Sequence, residues 1–215
     1  MADSNNIISQ IIYFEGGKSK DPNDTASRNP APNTGGVHTN KGITWTTFVS
    51  LAPKLGYAPS VENFLIMPER IWMLIFKEGF WNYLYLDGLN SQALANLIVQ
   101  MAWGSGRDTA PKQLSNWLKD LNINLPSTRS EKTIEILNSA TSSRNAERKI
   151  FLHLWNKRMA FLQSLRNWDN FKNGWSKRMN VLKTTGLALI NQKKNLILLA
   201  LLPILLLILQ TKKQK

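Results

Sequence analysis

Residues 13–44 read YFEGGKSKDPNDTASRNPAPNTGGVHTNKGIT, and the reading of this stretch decides the fold. A lone carboxylate, Glu15, precedes Gly16-Gly17, and a long polar segment follows that closes on Thr39-Asn40-Lys41-Gly42-Ile43-Thr44. Upstream, Ile7, Ile8, Ile11 and Ile12 recur at helical spacing behind a Ser4 cap, so the chain enters the stretch as an amphipathic helix that the two glycines end. Glu15 therefore falls at the last turn, along the edge of the apolar stripe. Residues 16 to 43, rich in Gly, Pro, Asn, Asp, Ser and Thr, predict a long ordered loop or a pair of short strands. Loops of that length in a compact domain go with function.

Beyond the loop the pattern is helical almost throughout and predicts an all-α domain. Thr44 caps a short helix through Phe48, Ser60 starts a single turn, and Pro68 begins a helix ending near Gly79. Ser91 opens a segment with Leu94, Leu97, Ile98 and Met101 on one face, stopped by Gly104 and Gly106, and Asp108 caps the next helix. Helices over about 131–139 and 144–166 follow, then a turn from Trp168 to Gly174 and a last helical run. No internal repeat interrupts this series.

The chain has 215 residues, eight Trp and 43% hydrophobic content, enough to bury the core of one domain. Its formal charge of +13 favours polyanions: nucleic acid, anionic lipid or the acidic polymers of a bacterial wall. No groove-reading motif accompanies the charge, so nucleic acid is not expected as a partner. With no Cys and only His38 and His153, disulfides, thiol nucleophiles and a multi-His metal site are excluded, and neither metal nor cofactor is expected. The first residues lack the basic and apolar regions of a cleavable signal. At the other end, Asn195 to Gln210 carries no charge and is flanked by lysines, which predicts a C-terminal transmembrane helix after a basic segment 181–194. Membrane lipid is then a partner, and localisation is membrane-anchored in a bacterial cell envelope, or on a phage-encoded protein.

Glu15 is the candidate for chemistry. Its setting is expected to be partly dry, and desolvation with the negative end of the helix dipole favours a carboxyl that keeps its proton. Glycosidic cleavage needs such an acid, because the leaving oxygen must be protonated as oxocarbenium character develops at the sugar.

Glu15-Gly16-Gly17 closing an apolar helix, then Asp21-Pro22, Gly35-Gly36 and Thr39-Asn40-Lys41-Gly42-Ile43-Thr44 together resemble the glycoside hydrolase family 108 muramidases. Phe80-Trp81, Trp103-Gly104-Ser105-Gly106, and Phe171-Lys172-Asn173-Gly174-Trp175 with Arg178 resemble later motifs of that family and its accompanying peptidoglycan-binding segment. The resemblance covers about residues 5–180. It implies a lysozyme-like helical fold, Glu15 as catalytic acid, peptidoglycan as substrate, and cleavage between N-acetylmuramic acid and N-acetylglucosamine without a metal. The organisation it implies is a muramidase part over 1–90 and a peptidoglycan-binding-like part of the same globule over 91–180.

One departure bears on the site. The family's Asp-Pro-Gly-Gly is Asn33-Thr34-Gly35-Gly36 here, so a carboxylate is missing. Asp21 or Asp24 is the candidate second carboxylate, and Thr39 the candidate to position water. Gly36, His38, Asn40, Trp81 and Trp103 are candidate substrate contacts, with Trp103 and Trp81 ahead of Trp45 for stacking on a sugar face. The rival expectation is a catalytically impaired, membrane-anchored wall-binding or structural protein of a phage or secretion system.

Overall fold

A computed structural model describes the backbone of residues 1–212 and the side chains of residues 1–192. Helix α1 (Asn5–Phe14) ends at Glu15, whose extended backbone (φ −89°, ψ 122°) turns the chain out of the helix one residue before the glycines. The polar loop is tied down by three short strands, β1 (Lys18–Ser19), β2 (Thr39–Asn40) and β3 (Ile43–Thr44), antiparallel in the order β1-β2-β3. This small sheet is the one departure from an all-α chain among the described residues. Its hairpin turns at Lys41-Gly42, both at positive φ (48° and 77°), the backbone that matches strand twist in a two-residue turn. Between β1 and β2, a 3-10 turn at Thr25–Arg28 gives the excursion its own internal support.

The remaining elements are helical: α2 (Trp45–Leu51), α3 (Val61–Ile66), α4 (Glu69–Phe76), α5 (Gln92–Ser105), α6 (Thr109–Leu118), α7 (Glu131–Ala140), α8 (Arg144–Gln163) and α9 (Trp168–Lys212). Side-chain caps account for several starts. Thr44, Ser60, Ser91 and Ser143 each accept a hydrogen bond from the backbone N–H three residues on. α5 is the central helix, buried at every position from Ala93 to Ala102, with α1, α6, α8 and α9 packed on it. Its N-terminal end also holds the start of the chain: Ala2 N–H donates to Leu89 O at 2.7 Å, and Asn96 Nδ2 to Asn6 Oδ1 at 2.9 Å. α8 and α9 approach so closely at Gly186 that a Cβ there would strike the Phe151 ring. A larger residue at 186 would push the two helices apart.

Three expectations are corrected. The segment Trp168–Gly174 is not a turn but the first two turns of α9, because Trp168, Phe171 and Trp175 recur at helical spacing and the Trp175 ring packs on those of Trp168 and Phe171, with centroids 6.1 Å and 5.4 Å away. The helix begun by Pro68 does not stop at Gly79 but passes into a π-helical turn, Lys77–Trp81, against Leu51. Among the described residues, no helix is long and apolar enough to cross a membrane. The expected C-terminal transmembrane helix, the membrane-anchored localisation and lipid as a partner are therefore unsupported. Through residue 192, α9 is a core helix: it buries Met179, Leu182 and Ile190 and carries Lys172, Lys177, Arg178 and Lys183, and Lys183 lies over the Trp155 ring. Residues 195–210, on which the anchor was placed, lie outside those whose side chains are described.

Candidate active site

Glu15 leaves the end of α1 with 13% of its side chain exposed. Trp103 Nε1 donates to Glu15 Oε1 at 2.9 Å, and Arg178 Nη2 reaches the same oxygen at 2.9 Å. Three segments distant in sequence meet on one carboxyl oxygen: the end of α1, the last turn of α5 and the third turn of α9. The other oxygen, Oε2, has no hydrogen-bond partner among the described residues. It faces the Gly42 Cα so closely that a side chain there would collide with it. Gly42 is thus required twice, by the positive φ of the hairpin and by its contact with Glu15.

The donors are themselves fixed. Trp103 packs against Trp72, Phe76 and Phe80, with ring centroids 5.5, 5.7 and 4.9 Å away, so its indole has little freedom to swing off Glu15. Trp72 stacks on Phe76 and donates Nε1 to Lys41 O at 2.8 Å, which ties α4 to the β2–β3 hairpin. Lys41 Nζ donates to Met67 O at 2.9 Å. Arg178 also donates to Phe14 O at 3.3 Å and lies over the Phe14 ring. Beside Glu15 opens a cleft of about 330 Å³ lined by Ile12, Glu15, Gly16, Gly17, Lys41, Glu69 and Trp72. It presents an apolar edge, a cation and two carboxylates.

The other candidates lie at various distances from this arrangement. Asp21 and Asp24 are outside the cleft lining: Asp21 Oδ1 accepts from Asn23 N and Nδ2 at 2.9 and 3.1 Å, and Asp24 caps the 3-10 turn by accepting from Ala26 N at 2.9 Å. His38 is fully buried. Its Nε2 lies 3.1 Å from the Asp21 carbonyl, which can only accept, so Nε2 donates; its Nδ1 is 2.9 Å from Thr39 Oγ1. The Thr39 hydroxyl is thus engaged by the imidazole. Asn40, also buried, donates to the Phe64 and Leu65 carbonyls at 2.7 and 3.2 Å and pins the hairpin to α3. Gly36 is exposed at φ 96° with open space around it. Trp81 is fully buried and donates to Asp87 Oδ1 at 2.6 Å, while Trp45 packs on Phe48 and Phe64. Of the nine candidates, Trp103 is the one in contact with Glu15.

Glu69 and Trp72 escaped the sequence reading. They are three residues apart on α4 and share a face toward the cleft. A Glu in the first turn after a Pro is an ordinary complement to the helix dipole, and Trp72 stands in an apolar run that reads as core. Neither local pattern carries a signal for the cleft. Among the described residues no group of three or more His, Asp or Glu is arranged to hold a metal ion.

The model of the glycosyl hydrolase 108 family matches residues 8–106, the part of the chain that contains Glu15, the hairpin, Glu69, Trp72 and Trp103. No curated protein matches the chain. Among solved structures it is similar to that of SagA from Brucella abortus, with a TM-score of 0.65 and 22% identity, covering 86% of this chain and 94% of that one. At this identity the likeness is one of fold, and it extends well past the family segment.

Proposed function

We propose, for a chain whose residues 8–106 match the model of the glycosyl hydrolase 108 family, that it hydrolyses the bond between N-acetylmuramic acid and N-acetylglucosamine in peptidoglycan, with Glu15 as the general acid. The observation that supports this is the asymmetry of the Glu15 carboxyl. Two N–H donors converge on Oε1, so a proton on the group belongs on Oε2, the oxygen without a protein partner. A glycan strand in the adjacent cleft brings its glycosidic oxygen to Oε2–H. The proton passes to that oxygen as the C–O bond breaks and positive charge develops at the anomeric carbon. Glu15 becomes a carboxylate in the same step. Arg178 and the Trp103 N–H, already in place, stabilise the new negative charge without reorganising. Water then adds to the anomeric carbon and gives up its proton, and Glu69 is the carboxylate in the cleft available to receive it. The +13 net charge favours accumulation on an anionic wall.

One observation favours a second reading, in which the protein binds wall without cutting it: Asn33-Thr34-Gly35-Gly36 stands where the family resemblance expects an Asp. The test separates the two. The full chain and its Glu15→Gln variant are incubated with purified peptidoglycan, and both pelleting and released reducing ends are measured. The exchange keeps the carboxyl's shape and removes its titrating proton, so release should fall about a hundredfold or more while pelleting is retained. A folded wild-type protein that pellets with wall and releases nothing refutes the hydrolase reading and leaves the binding one.

A further inference from the structure

Behind the Glu15 site, α5, α8 and α9 enclose a cavity of about 70 Å³. Most of its lining is apolar, but Gln100, Arg158 and Arg178 also face it. Arg158 is only 4% exposed. Its Nη1 donates to Ser105 Oγ at 2.5 Å, its guanidinium lies over the Phe161 ring, and Nη2 would be 2.9 Å from a Cβ at Gly104. No carboxylate pairs with it among the described residues. Burial, and then the like charge of Arg178, pull its pKa down to about 10, which leaves the group cationic at neutral pH. Gln100, 5% exposed, has both side-chain amide atoms buried without a hydrogen-bond partner.

A buried guanidinium with no counter-charge and a buried amide with no partner are each costly, and here they line one cavity. Water alone answers only half of this. It satisfies the amide but does not neutralise the cation. Measured the same way, one water needs about 10–15 Å³, so the cavity has room for a small ion or a few waters. A halide fits such a space and supplies the missing negative charge.

We propose that this cavity binds one small inorganic anion, a halide, between the Arg158 and Arg178 guanidinium groups and the amide nitrogen of Gln100. Gly104 supports the arrangement by leaving room for Arg158 Nη2, which a side chain at that position would displace. Arg178 connects the site to Glu15, since the same guanidinium faces the cavity and holds Glu15 Oε1. The anion site stands whether or not Glu15 is a catalytic acid.

Thermal unfolding of the full chain in sodium chloride, sodium bromide and sodium gluconate at matched ionic strength and pH tests the proposal. The halides should raise Tm saturably, by about 3–5 °C at tenfold excess over the dissociation constant, while gluconate, too large to enter, should not. Arg158→Met should remove the difference between the salts. Because that variant can fail to fold, crystals of the unaltered protein grown in bromide supply an independent readout, an anomalous peak within contact of Arg158. Identical Tm curves in the three salts overturn the proposal, as does a cavity holding only water in the bromide crystals.

Discussion

Trp103 Nε1 donates to Glu15 Oε1 across a separation of 88 residues, and Arg178, from the third turn of α9, meets the same oxygen. The carboxyl that opens the polar loop is therefore positioned by α5 and α9 rather than by the loop around it. The aromatic cluster of Trp72, Phe76 and Phe80 orients Trp103, and α4 reaches the hairpin through the hydrogen bond from Trp72 to Lys41 O. The hairpin then brings Gly42 against Oε2. Packing and hydrogen bonds form one closed circuit around the carboxyl, the arrangement that holds a reacting group to sub-ångström tolerance.

Trp103→Phe isolates the hydrogen bond, because the smaller ring still packs against Trp72 and Phe80 while the N–H is lost. With one of two donors to Oε1 removed, kcat on peptidoglycan should fall about tenfold, equivalent to roughly 1.4 kcal/mol, with little change in KM. Steady-state kinetics on solubilised glycan strands measure the split. An unchanged kcat in a folded variant would mean that the indole serves packing alone.

Gly42→Ala adds a methyl group that meets Glu15 Oε2 and places a side chain at φ 77°. The left-handed backbone alone costs an alanine about 1–2 kcal/mol, a Tm loss of roughly 2–8 °C in a chain of this size. Gly56→Ala is the control, since Gly56 has nearly the same φ, 78°, with open space around it. Both variants should lose this much from backbone strain, and Gly42→Ala should lose more because its methyl group overlaps Glu15. Activity should collapse in Gly42→Ala and persist in Gly56→Ala, and equal activities would sink the claim that Oε2 needs that space.

Much of the helical scaffold was legible because its signals are local. Thr44, Ser60 and Ser91 cap in fact the helices their positions announce, and Gly106 ends α5 at φ 92°. Glu15 stood out as a candidate through the glycines and the hairpin that resemble the family. What escaped depends on contacts between distant residues. His38 was a candidate substrate contact, yet it is buried, and the carbonyl that accepts its Nε2–H belongs to Asp21, 17 positions away. Trp81 and Trp103 were equivalent candidates from their neighbours, yet one donates to Asp87 inside the core and the other to Glu15. Gly174 suggested a turn, and the ring contacts between Phe171, Trp168 and Trp175 overrode it. Glu69 had no local mark at all, since only the tertiary fold brings the first turn of α4 to the cleft.

Alkaline pH tests a contact away from the cleft. The Tyr83 hydroxyl donates to Asp108 at the N-terminal end of α6, and that hydrogen bond, then burial, then the Asp108 charge raise the phenol's pKa above its ordinary value. The folded state favours the protonated phenol, so the stabilisation is fully present below pH 10 and is lost as pH rises through the folded-state value. The Tm difference between wild type and Tyr83→Phe should be constant from pH 7 to about 9 and narrow above about 10. A difference that does not vary across this range would assign the Tyr83 contribution to ring packing with Arg107 and Arg129.

The second carboxylate can be identified by comparing three substitutions in one assay. Asp21 and Asp24 spend an oxygen each on turn geometry, whereas Glu69 lines the cleft beside Glu15. A group that accepts a proton from attacking water must stand within reach of the bound sugar, and loss of such a base costs about a hundredfold or more in rate. Glu69→Gln should therefore lower kcat by about that factor with only a small loss of Tm, since the residue is exposed and gives up little beyond its contact with the helix dipole. Asp21→Asn and Asp24→Asn should keep most of their activity and lose stability instead, by about 0.5–2 kcal/mol for the cap at Asp24. Azide added to Glu69→Gln sharpens the assignment: a small anionic nucleophile that needs no base should restore turnover if Glu69 activates water. Full activity in Glu69→Gln with a large kcat loss in Asp21→Asn or Asp24→Asn would return the role to the loop.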